Sequence, residues 1–175
     1  MMKRYIYHIL VIALVLLVTS CDEKEDWEQI NSSTMEVSGE YWVKYDHHVY
    51  GEDAFGVGYT KIIISNTAAD NGTEIWLSDE GNFWDYKVKI PTNVEDLTFG
   101  SDQVVTNIVD GYDIQVRVSN GKIIPDAVSN LASGVTADSI YFEVWFEDLE
   151  GSTGIENDTL FVSGFRKTGF LEDEH

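Results

Sequence analysis

Apolar and polar residues alternate with a period of two along most of the chain beyond residue 36. The clearest run places four apolar side chains on one face of a predicted strand: Ile140, Phe142, Val144 and Phe146. The same alternation recurs at 41–46, 84–90 and 114–119. A period of two is typical of a β-strand with one buried face, whereas an amphipathic helix repeats every 3.6 residues. The pattern therefore predicts a β protein without a long helix.

The predicted strands are short, closely spaced and mostly separated by turn sequences. They lie near 37–49, 56–66, 74–78, 83–90, 95–99, 103–108, 112–119, 122–124, 139–148 and 158–167. The Asn120-Gly121 pair predicts a two-residue hairpin, because both residues tolerate positive φ. Similar turn sequences occur at 70–72, 79–82 and 110–111. The stretch 126–138 lacks alternation and is predicted as a loop or a short helical turn.

Many short strands joined by tight turns are typical of an antiparallel sandwich or an up-and-down barrel. We predict an all-β, antiparallel, up-and-down barrel of about eight strands, because the chain length and the succession of hairpins suit that closure. A β-sandwich is the alternative.

The first twenty residues have the features of an export signal. A short basic head precedes an apolar run over 9–18, which is too short to span a membrane. Cys21, the only cysteine, directly follows Leu17-Val18-Thr19-Ser20, and this segment resembles the lipobox of bacterial lipoproteins. The resemblance implies cleavage before Cys21, diacylglycerol on its sulfur and an acyl chain such as palmitate on its amine. An ordinary secretory signal is the alternative, but it would leave an exported thiol without a partner.

Residues 21–35 are predicted to form an acidic, lipid-anchored tether. The sequence DEKED at 22–26 cannot pack into a core and stays solvated. An acidic cluster after the lipidated cysteine resembles the surface-export signal of some Gram-negative bacteria, whereas aspartate at this place in enteric bacteria indicates inner-membrane retention. We expect an outer-membrane lipoprotein on the cell surface, with the periplasmic face as the alternative. The membrane is thus a partner through the lipid on Cys21.

The rest of the chain has the length of one domain and a large negative charge. A barrel domain is predicted over 36–172, followed by an acidic tail at 173–175. The net charge of −20 becomes −22 when the two cations of the signal leave with it. Such a charge repels phosphate backbones, which excludes nucleic acid as a partner. No cysteine remains for a disulfide, so packing must hold the core together.

Several segments resemble one family of bacterial lipoproteins. They are GEYWV at 39–43, YTKI at 59–62, NTAADNGTEIW at 66–76, GNFW at 81–84, KVK at 87–89, ADSI at 137–140 and VSGFRKTGF at 162–170. The family is labelled lipid-binding putative hydrolase, and the match spans about residues 36–172. The resemblance implies a lipocalin-like, calycin-type barrel. In such folds an arginine near the last strand packs across the barrel floor, which implies this role for Arg166.

A set of aromatic residues falls on the apolar faces of the predicted strands: Tyr41, Tyr45, Trp84, Tyr86 and Phe142. In a barrel that is open at one end, these side chains would line a lumen suited to an apolar or amphiphilic, lipid-like small molecule. The alternative is that they fill the barrel, because large side chains do so in small barrels. The sequence leaves both open.

Three tryptophans, Trp42, Trp76 and Trp145, lie on the opposite, solvent-facing sides of their strands, and so does Phe83. Exposed indole rings on a sheet often contact sugars or proteins. They therefore predict, as an alternative function, an accessory module that binds a glycan or a protein of an outer-membrane complex. The other alternative for them is a second, smaller packing surface.

No catalytic residue, metal site or cofactor is predicted. The chain has no Gly-x-Ser-x-Gly motif, and His47 and His48 on one strand would point to opposite faces. The oxygen-rich turns at 70–74 and 147–150 match no Ca²⁺ loop, and zinc would need cysteine or clustered histidine. A hydrolase of unknown substrate, dependent on a carboxylate or on His48, is the third and least favoured function.

Overall fold

The computed structural model describes residues 31–175, so the predicted signal, Cys21 and the tether up to residue 30 lie outside the described residues. Nine strands follow in this part of the chain: β1 Gly39–His47, β2 Thr60–Asn66, β3 Glu74–Ser78, β4 Lys87–Asn93, β5 Thr98–Phe99, β6 Val105–Thr106, β7 Gln115–Val128, β8 Ala137–Phe146 and β9 Leu160–Arg166. A short helix α1 spans Leu149–Thr153, and a 3-10 turn spans Leu171–Asp173. Within these described residues, no helix is long and apolar enough to cross a membrane.

The strands form one closed antiparallel barrel. β1 pairs with both β2 and β9, and each further strand pairs with its neighbour around the ring. β5 and β6 both pair antiparallel with β7, at Gly121–Lys122 and at Gln115–Val116 respectively, so they are two halves of one interrupted strand. The ring therefore has eight positions. The predicted all-β, up-and-down barrel is confirmed, and the sandwich alternative is excluded.

The alternating pattern correctly predicts which side chains face the interior. In β8, all four apolar residues of the clearest run are buried with at most 1% exposure. One continuous apolar cluster fills the barrel and extends to partly buried rings at one end. The turns predicted at 70–72, 79–82 and 110–111 also lie between strands, at the ends of β2, β3 and β6. The alternation thus correctly predicts the inward faces of the strands, and the turn sequences correctly predict most of the turns.

The predicted hairpin at Asn120-Gly121 is wrong. The strands predicted at 112–119 and 122–124 are one strand, β7, with a bulge between Ser119 and Lys122 where it pairs with β8. Asn120 does adopt a positive φ of 55°, but the chain continues in the same direction after it. Gly121 is needed there for space, because a Cβ atom would lie 2.5 Å from the carbonyl oxygen of Phe99. The Asn-Gly pair therefore forms a bulge within one strand and does not form a hairpin turn.

Further boundaries differ from the prediction. β2 begins at Thr60 and not at residue 56, and β5 and β6 are shorter than the strands predicted at 95–99 and 103–108. Residues 83–86 belong to a loop, because their backbone N–H groups bond to a buried carboxylate instead of a neighbouring strand. The stretch 126–138 is partly extended, since β7 continues to Val128 and β8 begins at Ala137. The conformation of 83–86 is decided by the carboxylate of Asp79 in the same loop, and that of 126–138 by the pairing of β7 with β8.

The floor of the barrel is the end at which β1 begins, and Arg166 packs across it. Its guanidinium lies 5.0 Å from the ring centroid of Tyr41, and its Nε donates to Asp138 at 2.9 Å. The two terminal nitrogens donate to the backbone carbonyls of Ser38 and Glu36. The stem packs while the planar fork satisfies carbonyl oxygens, as arginine is suited to do. The role that the resemblance implied for Arg166 is confirmed.

Candidate functional site

The end of the barrel opposite the floor is formed by four loops and is called the mouth below. These loops span 48–59, 79–86, 107–114 and 147–159, and they follow β1, β3, β6 and β8. Several hydrogen bonds tie the loops to one another. Asp148 accepts hydrogen bonds from Trp84 Nε1 at 2.9 Å and from the hydroxyl of Tyr112. The hydroxyl of Tyr50 donates to the carbonyl of Thr153 at 2.8 Å.

Three half-buried rings, Phe55, Phe83 and Trp84, form an aromatic plug across the mouth. Phe83 stacks on the fully buried ring of Tyr45, with centroids 3.9 Å apart. Trp84 stacks on Phe146 at 5.2 Å with an interplanar angle of 8°. Phe55 meets both plug neighbours edge to face, at 5.4 and 5.5 Å. The plug thus joins the apolar core directly to the surface of the protein.

The position of the plug depends on Asp79, a fully buried carboxylate at the end of β3. Its two oxygens accept five backbone N–H groups of the loop that carries Phe83 and Trp84, from residues 81, 83, 84, 85 and 86. The distances run from 2.7 to 3.1 Å. A carboxylate that accepts several backbone donors can remain charged without a cation partner. The loop is therefore wrapped around a fixed negative charge.

Four of the five aromatic residues predicted to line the lumen are buried to 0% exposure: Tyr41, Tyr45, Tyr86 and Phe142. The fifth, Trp84, belongs to the plug. Because these four side chains are wholly buried, no space for a water molecule lies beside them. The structure brings all five residues into one apolar cluster, which in this conformation is filled by the protein itself. Their contact with a ligand stays a prediction.

The interior near the mouth contains hydroxyl groups that are not fully satisfied. The hydroxyls of Tyr45 and Tyr86 lie 3.2 Å apart, and only one of the two can donate to the other. Thr60 faces inward at the mouth end of β2, is 7% exposed, and its Oγ1 has no hydrogen-bond partner among the described residues. Burial raises the pKa of Tyr45 and of Tyr86, and the carboxylate of Asp79 raises both further. Both phenols are therefore protonated and can donate.

The three outer tryptophans are not brought together. Trp76 lies on β3 and Trp145 on β8, which are opposite one another in the ring of eight, while Trp42 lies on β1 between them. Each is half-buried and carries a cation over its ring. The pairs are Trp42 with Lys167 at 4.7 Å, Trp76 with Lys87 at 5.9 Å and Trp145 with Arg117 at 5.5 Å. They face outward as predicted, but they form no common surface.

A second polar cluster at the mouth joins His47, His48 and Asp158, whose potential metal-ligand atoms lie within 4.8 Å of one another. The expectation that the two histidines point apart is wrong, because β1 ends at His47 and the following turn brings the rings to 4.4 Å. His47 Nε2 lies 2.7 Å from Asp158 Oδ2. Its Nδ1 accepts the N–H groups of Val49 and Tyr50.

These contacts fix the tautomer of His47 and decide what the cluster can do. Because Nδ1 accepts two N–H groups, the proton is on Nε2 and is donated to Asp158. A metal ion in this place would need the lone pair of Nε2, which this tautomer does not offer. The cluster therefore favours a buried hydrogen-bonded pair over a metal site. Burial raises the pKa of Asp158, but hydrogen bonds from Thr153, His47 and the N–H of Thr159 outweigh it, so that the net pKa is lowered.

A groove of about 700 Å³ lies on the barrel wall where β4, β5 and β7 pair, next to the interruption between β5 and β6. Polar and apolar groups contribute about equally to its lining, which includes Lys122, Tyr141 and Gly121. Phe99, at its base, is only 4% exposed. The groove thus meets the apolar core only at the nearly buried ring of Phe99, whereas the plug offers three half-buried rings that pack against the core.

The sequence does not predict the roles of several residues of the mouth. Phe83 alternates with Trp84 in a predicted strand and is therefore expected to face outward, yet it packs on Tyr45. Asp79 and Asp158 look like ordinary turn aspartates. The one available signal is the composition of 79–86, where three aromatic residues occur in a turn that would otherwise be polar.

The comparisons with known proteins agree with this geometry. A family model described as "Lipid-binding putative hydrolase" matches residues 26–171, which covers most of the chain. The family expected from the sequence segments is thereby confirmed. No curated protein matches the chain significantly.

Proposed function

This chain belongs to the lipid-binding putative hydrolase family, and from that membership we propose that its barrel binds an apolar or amphiphilic, lipid-like small molecule that enters through the mouth. The observation that carries the proposal is the continuity between the plug and the core. Phe83 and Trp84 are half-buried and stack on the wholly buried rings of Tyr45 and Phe146. Phe55, also half-buried, packs on Phe83 and Trp84. A guest that displaces the plug therefore enters an environment that is already apolar.

Displacement of the plug is energetically reasonable for a chain of about a dozen carbons. Exposing a half-buried phenylalanine ring costs about 1–1.5 kcal/mol, whereas each buried methylene of a guest contributes about 0.8 kcal/mol. The contacts that hold the plug include the hydrogen bond from Trp84 to Asp148, whose carboxylate is exposed and accessible to water. Water can replace that bond when the ring moves, so the plug is easier to open than the core behind it.

We further propose that the protein is anchored by lipid on Cys21 to the outer membrane and faces the cell surface, with the periplasmic face as the alternative. Support comes from the sequence of the first 26 residues, which lie outside the described part of the chain. Two or more acyl chains on one cysteine anchor a protein stably, whereas a single chain binds only marginally. The anchor would hold the barrel next to a membrane that can supply a lipid.

Binding can be tested with a neutral fluorescent probe such as N-phenyl-1-naphthylamine. We expect saturable binding at one site, and roughly tenfold tighter binding in Phe83→Ala, because the ring no longer has to be displaced. Phe161→Ala is the matched control, since it removes an equal, half-buried ring from the outer face of β9 and should leave the affinity unchanged. Absence of saturable binding in both the wild type and Phe83→Ala would refute the proposal.

Anchoring can be tested on cells that produce the full chain. We expect the wild type in the membrane fraction and Cys21→Ser released from it, and we expect external protease to remove the barrel from intact cells. Protection from protease, with digestion only after the outer membrane is opened, would contradict the surface location. Equal membrane association of Cys21→Ser would contradict the anchor.

The two alternative functions have weaker support. A glycan- or protein-binding module would be favoured by tryptophans on one face, but Trp42, Trp76 and Trp145 are distributed around the barrel. A hydrolase would be favoured by an exposed nucleophile beside the His47–Asp158 pair, but His47 is wholly buried and its Nδ1 is already engaged by backbone. Binding is therefore the function that the geometry favours.

A further inference from the structure

The mouth loops have an unusual distribution of charge. Together they contain twelve carboxylates and no lysine or arginine: Glu52, Asp53, Asp79, Glu80, Asp85, Asp110, Asp113, Glu147, Asp148, Glu150, Glu156 and Asp158. Among the described residues, the lysines and arginines lie in the strands or directly after β9, and the ones at the floor are neutralised. Arg166 pairs with Asp138, and Lys167 pairs with Glu40 and Glu174. Any molecule that reaches the plug therefore passes a ring of negative charge.

One carboxylate of the mouth loops, that of Asp79, lies in the interior of the protein. Asp79 is buried and its oxygens are bound by backbone N–H groups, not by a cation. Its carboxylate accepts the backbone N–H of Tyr86, whose hydroxyl lies 3.2 Å from that of Tyr45. An anionic head group placed here would meet a fixed carboxylate at low dielectric, where repulsion is much stronger than in water.

Two features of the mouth suit a positive head group. The faces of the aromatic plug attract cations through the ring quadrupole, and tryptophan does so best. Thr60 supplies the second feature, because its buried Oγ1 faces inward at the mouth and is without a partner among the described residues. A hydroxyl oxygen in this state can accept a hydrogen bond from an N–H group.

We propose that the mouth selects amphiphiles with a positively charged head group, such as an alkylammonium, and rejects fatty-acid carboxylates. The proposal rests on the lipid-binding function proposed above and specifies the class of ligand. A cleft lined by one sign of charge concentrates the opposite sign and repels its own. When the plug has been displaced, its rings and the mouth carboxylates contact the head group, while the alkyl tail occupies the apolar interior.

The test compares three probes with the same tail, namely dodecylammonium, dodecanol and dodecanoate, by displacement of the neutral fluorescent probe. We expect dodecylammonium to bind at least about tenfold more tightly than dodecanoate at low salt, with dodecanol between them. The difference should shrink as salt rises, because exposed charges are screened. Equal affinities for dodecylammonium and dodecanoate, or for dodecylammonium and dodecanol, would overturn the proposal.

A matched pair of variants separates the mouth from the overall negative charge. Glu80→Gln/Asp85→Asn/Asp113→Asn removes three exposed charges at the mouth, and Glu36→Gln/Glu95→Gln/Glu172→Gln removes three exposed charges away from it. We expect the first variant to lose most of the preference for dodecylammonium and the second to keep it. Equal losses in both would mean that net charge alone attracts the cation, which contradicts a selective mouth.

Thr60→Val tests the hydrogen bond at nearly constant shape. We expect it to weaken the binding of dodecylammonium about threefold to tenfold, as for the loss of one hydrogen bond. The affinity for dodecyltrimethylammonium, which has no N–H, should stay unchanged. An equal effect on both probes would contradict the role of Thr60. If no probe, including neutral dodecanol, displaces the fluorescent dye, the proposed binding function itself fails, and this outcome is distinct from loss of charge preference alone.

Discussion

Two buried aspartates, Asp79 and Asp158, determine the local structure of the mouth, and neither has a lysine or arginine partner. Asp79 is bound by backbone N–H groups of its own loop. Asp158 accepts the Nε2–H of His47 and the N–H of Thr159. Each carboxylate fixes the conformation of a loop by satisfying donors that would otherwise be buried and unpaired. The loss of stability on removing either carboxylate thus depends on the N–H groups that are left without an acceptor.

Asp79→Ala is expected to be severely destabilising. It leaves five backbone N–H groups without acceptors, and each unsatisfied buried donor costs about 1–3 kcal/mol unless the loop opens to water. We expect a loss of at least about 3 kcal/mol in the free energy of unfolding. Glu80→Ala is the control, because that side chain is exposed, and it should change stability by less than about 0.5 kcal/mol. Urea unfolding measures both, and similar midpoints for the two variants would contradict the role of Asp79.

Asp158 predicts a specific dependence of stability on pH. Its pKa in the folded protein is lowered, so its contribution to stability is complete above the pKa of about 3.9 in the unfolded chain. The contribution is lost as the pH falls through the folded pKa. We expect the wild type to lose more stability than Asp158→Asn between pH 5 and pH 2. Asp113→Asn, an exposed control, should follow the wild type, and parallel curves for wild type and Asp158→Asn would refute this account.

At the scale of the elements, the closure of the barrel between β1 and β9 depends on Gly164. A Cβ atom on this residue would lie 1.9 Å from the carbonyl oxygen of Trp42 on β1. Real Cβ atoms do not approach backbone this closely, and backbone cannot move aside as a flexible side chain can. The two strands therefore approach each other here at a distance that only glycine allows.

Gly164→Ala should consequently force β1 and β9 apart and destabilise the barrel by about 1–3 kcal/mol or more. The matched control is Gly151→Ala in α1, where a Cβ atom would meet nothing within 4 Å. There, alanine should stabilise by about 0.5–1 kcal/mol because it favours the helical conformation. Thermal unfolding distinguishes the two opposite signs, and a neutral Gly164→Ala would contradict the close approach.

The same scale explains how much of the fold could be predicted from the sequence. Alternation is local, so it correctly predicts that Ile140 and Phe142 face inward and that the chain forms β-strands. The bulge at Asn120-Gly121 could not be distinguished from a hairpin, because both use a positive φ and only pairing with β8 and β5 decides between them. The loop around Asp79 could not be predicted for a different reason. Its five N–H groups bond to a side-chain carboxylate only two to seven residues away, and the alternation of apolar and polar residues does not show such bonds.

At the scale of the whole molecule, the barrel combines a filled core with a mouth that is held by polar contacts. The core side chains around Tyr41 and Phe142 leave no water-sized space beside them. A guest can therefore enter only by taking the place of protein atoms, and the half-buried plug is the part that leaves the core at least cost. The sequence predicted aromatic residues facing a lumen, but it could not show whether the lumen was filled, because volume depends on how eight strands pack together.

The most direct test is a crystal structure of the protein with dodecylammonium bound. We predict that the alkyl tail lies inside the barrel against Tyr45 and Phe146, with Phe83 and Trp84 displaced and the ammonium group at the mouth carboxylates. An unchanged interior, with the dodecyl chain on the outer wall or in the groove between β5 and β7, would contradict the central claim that the mouth admits a lipid-like guest.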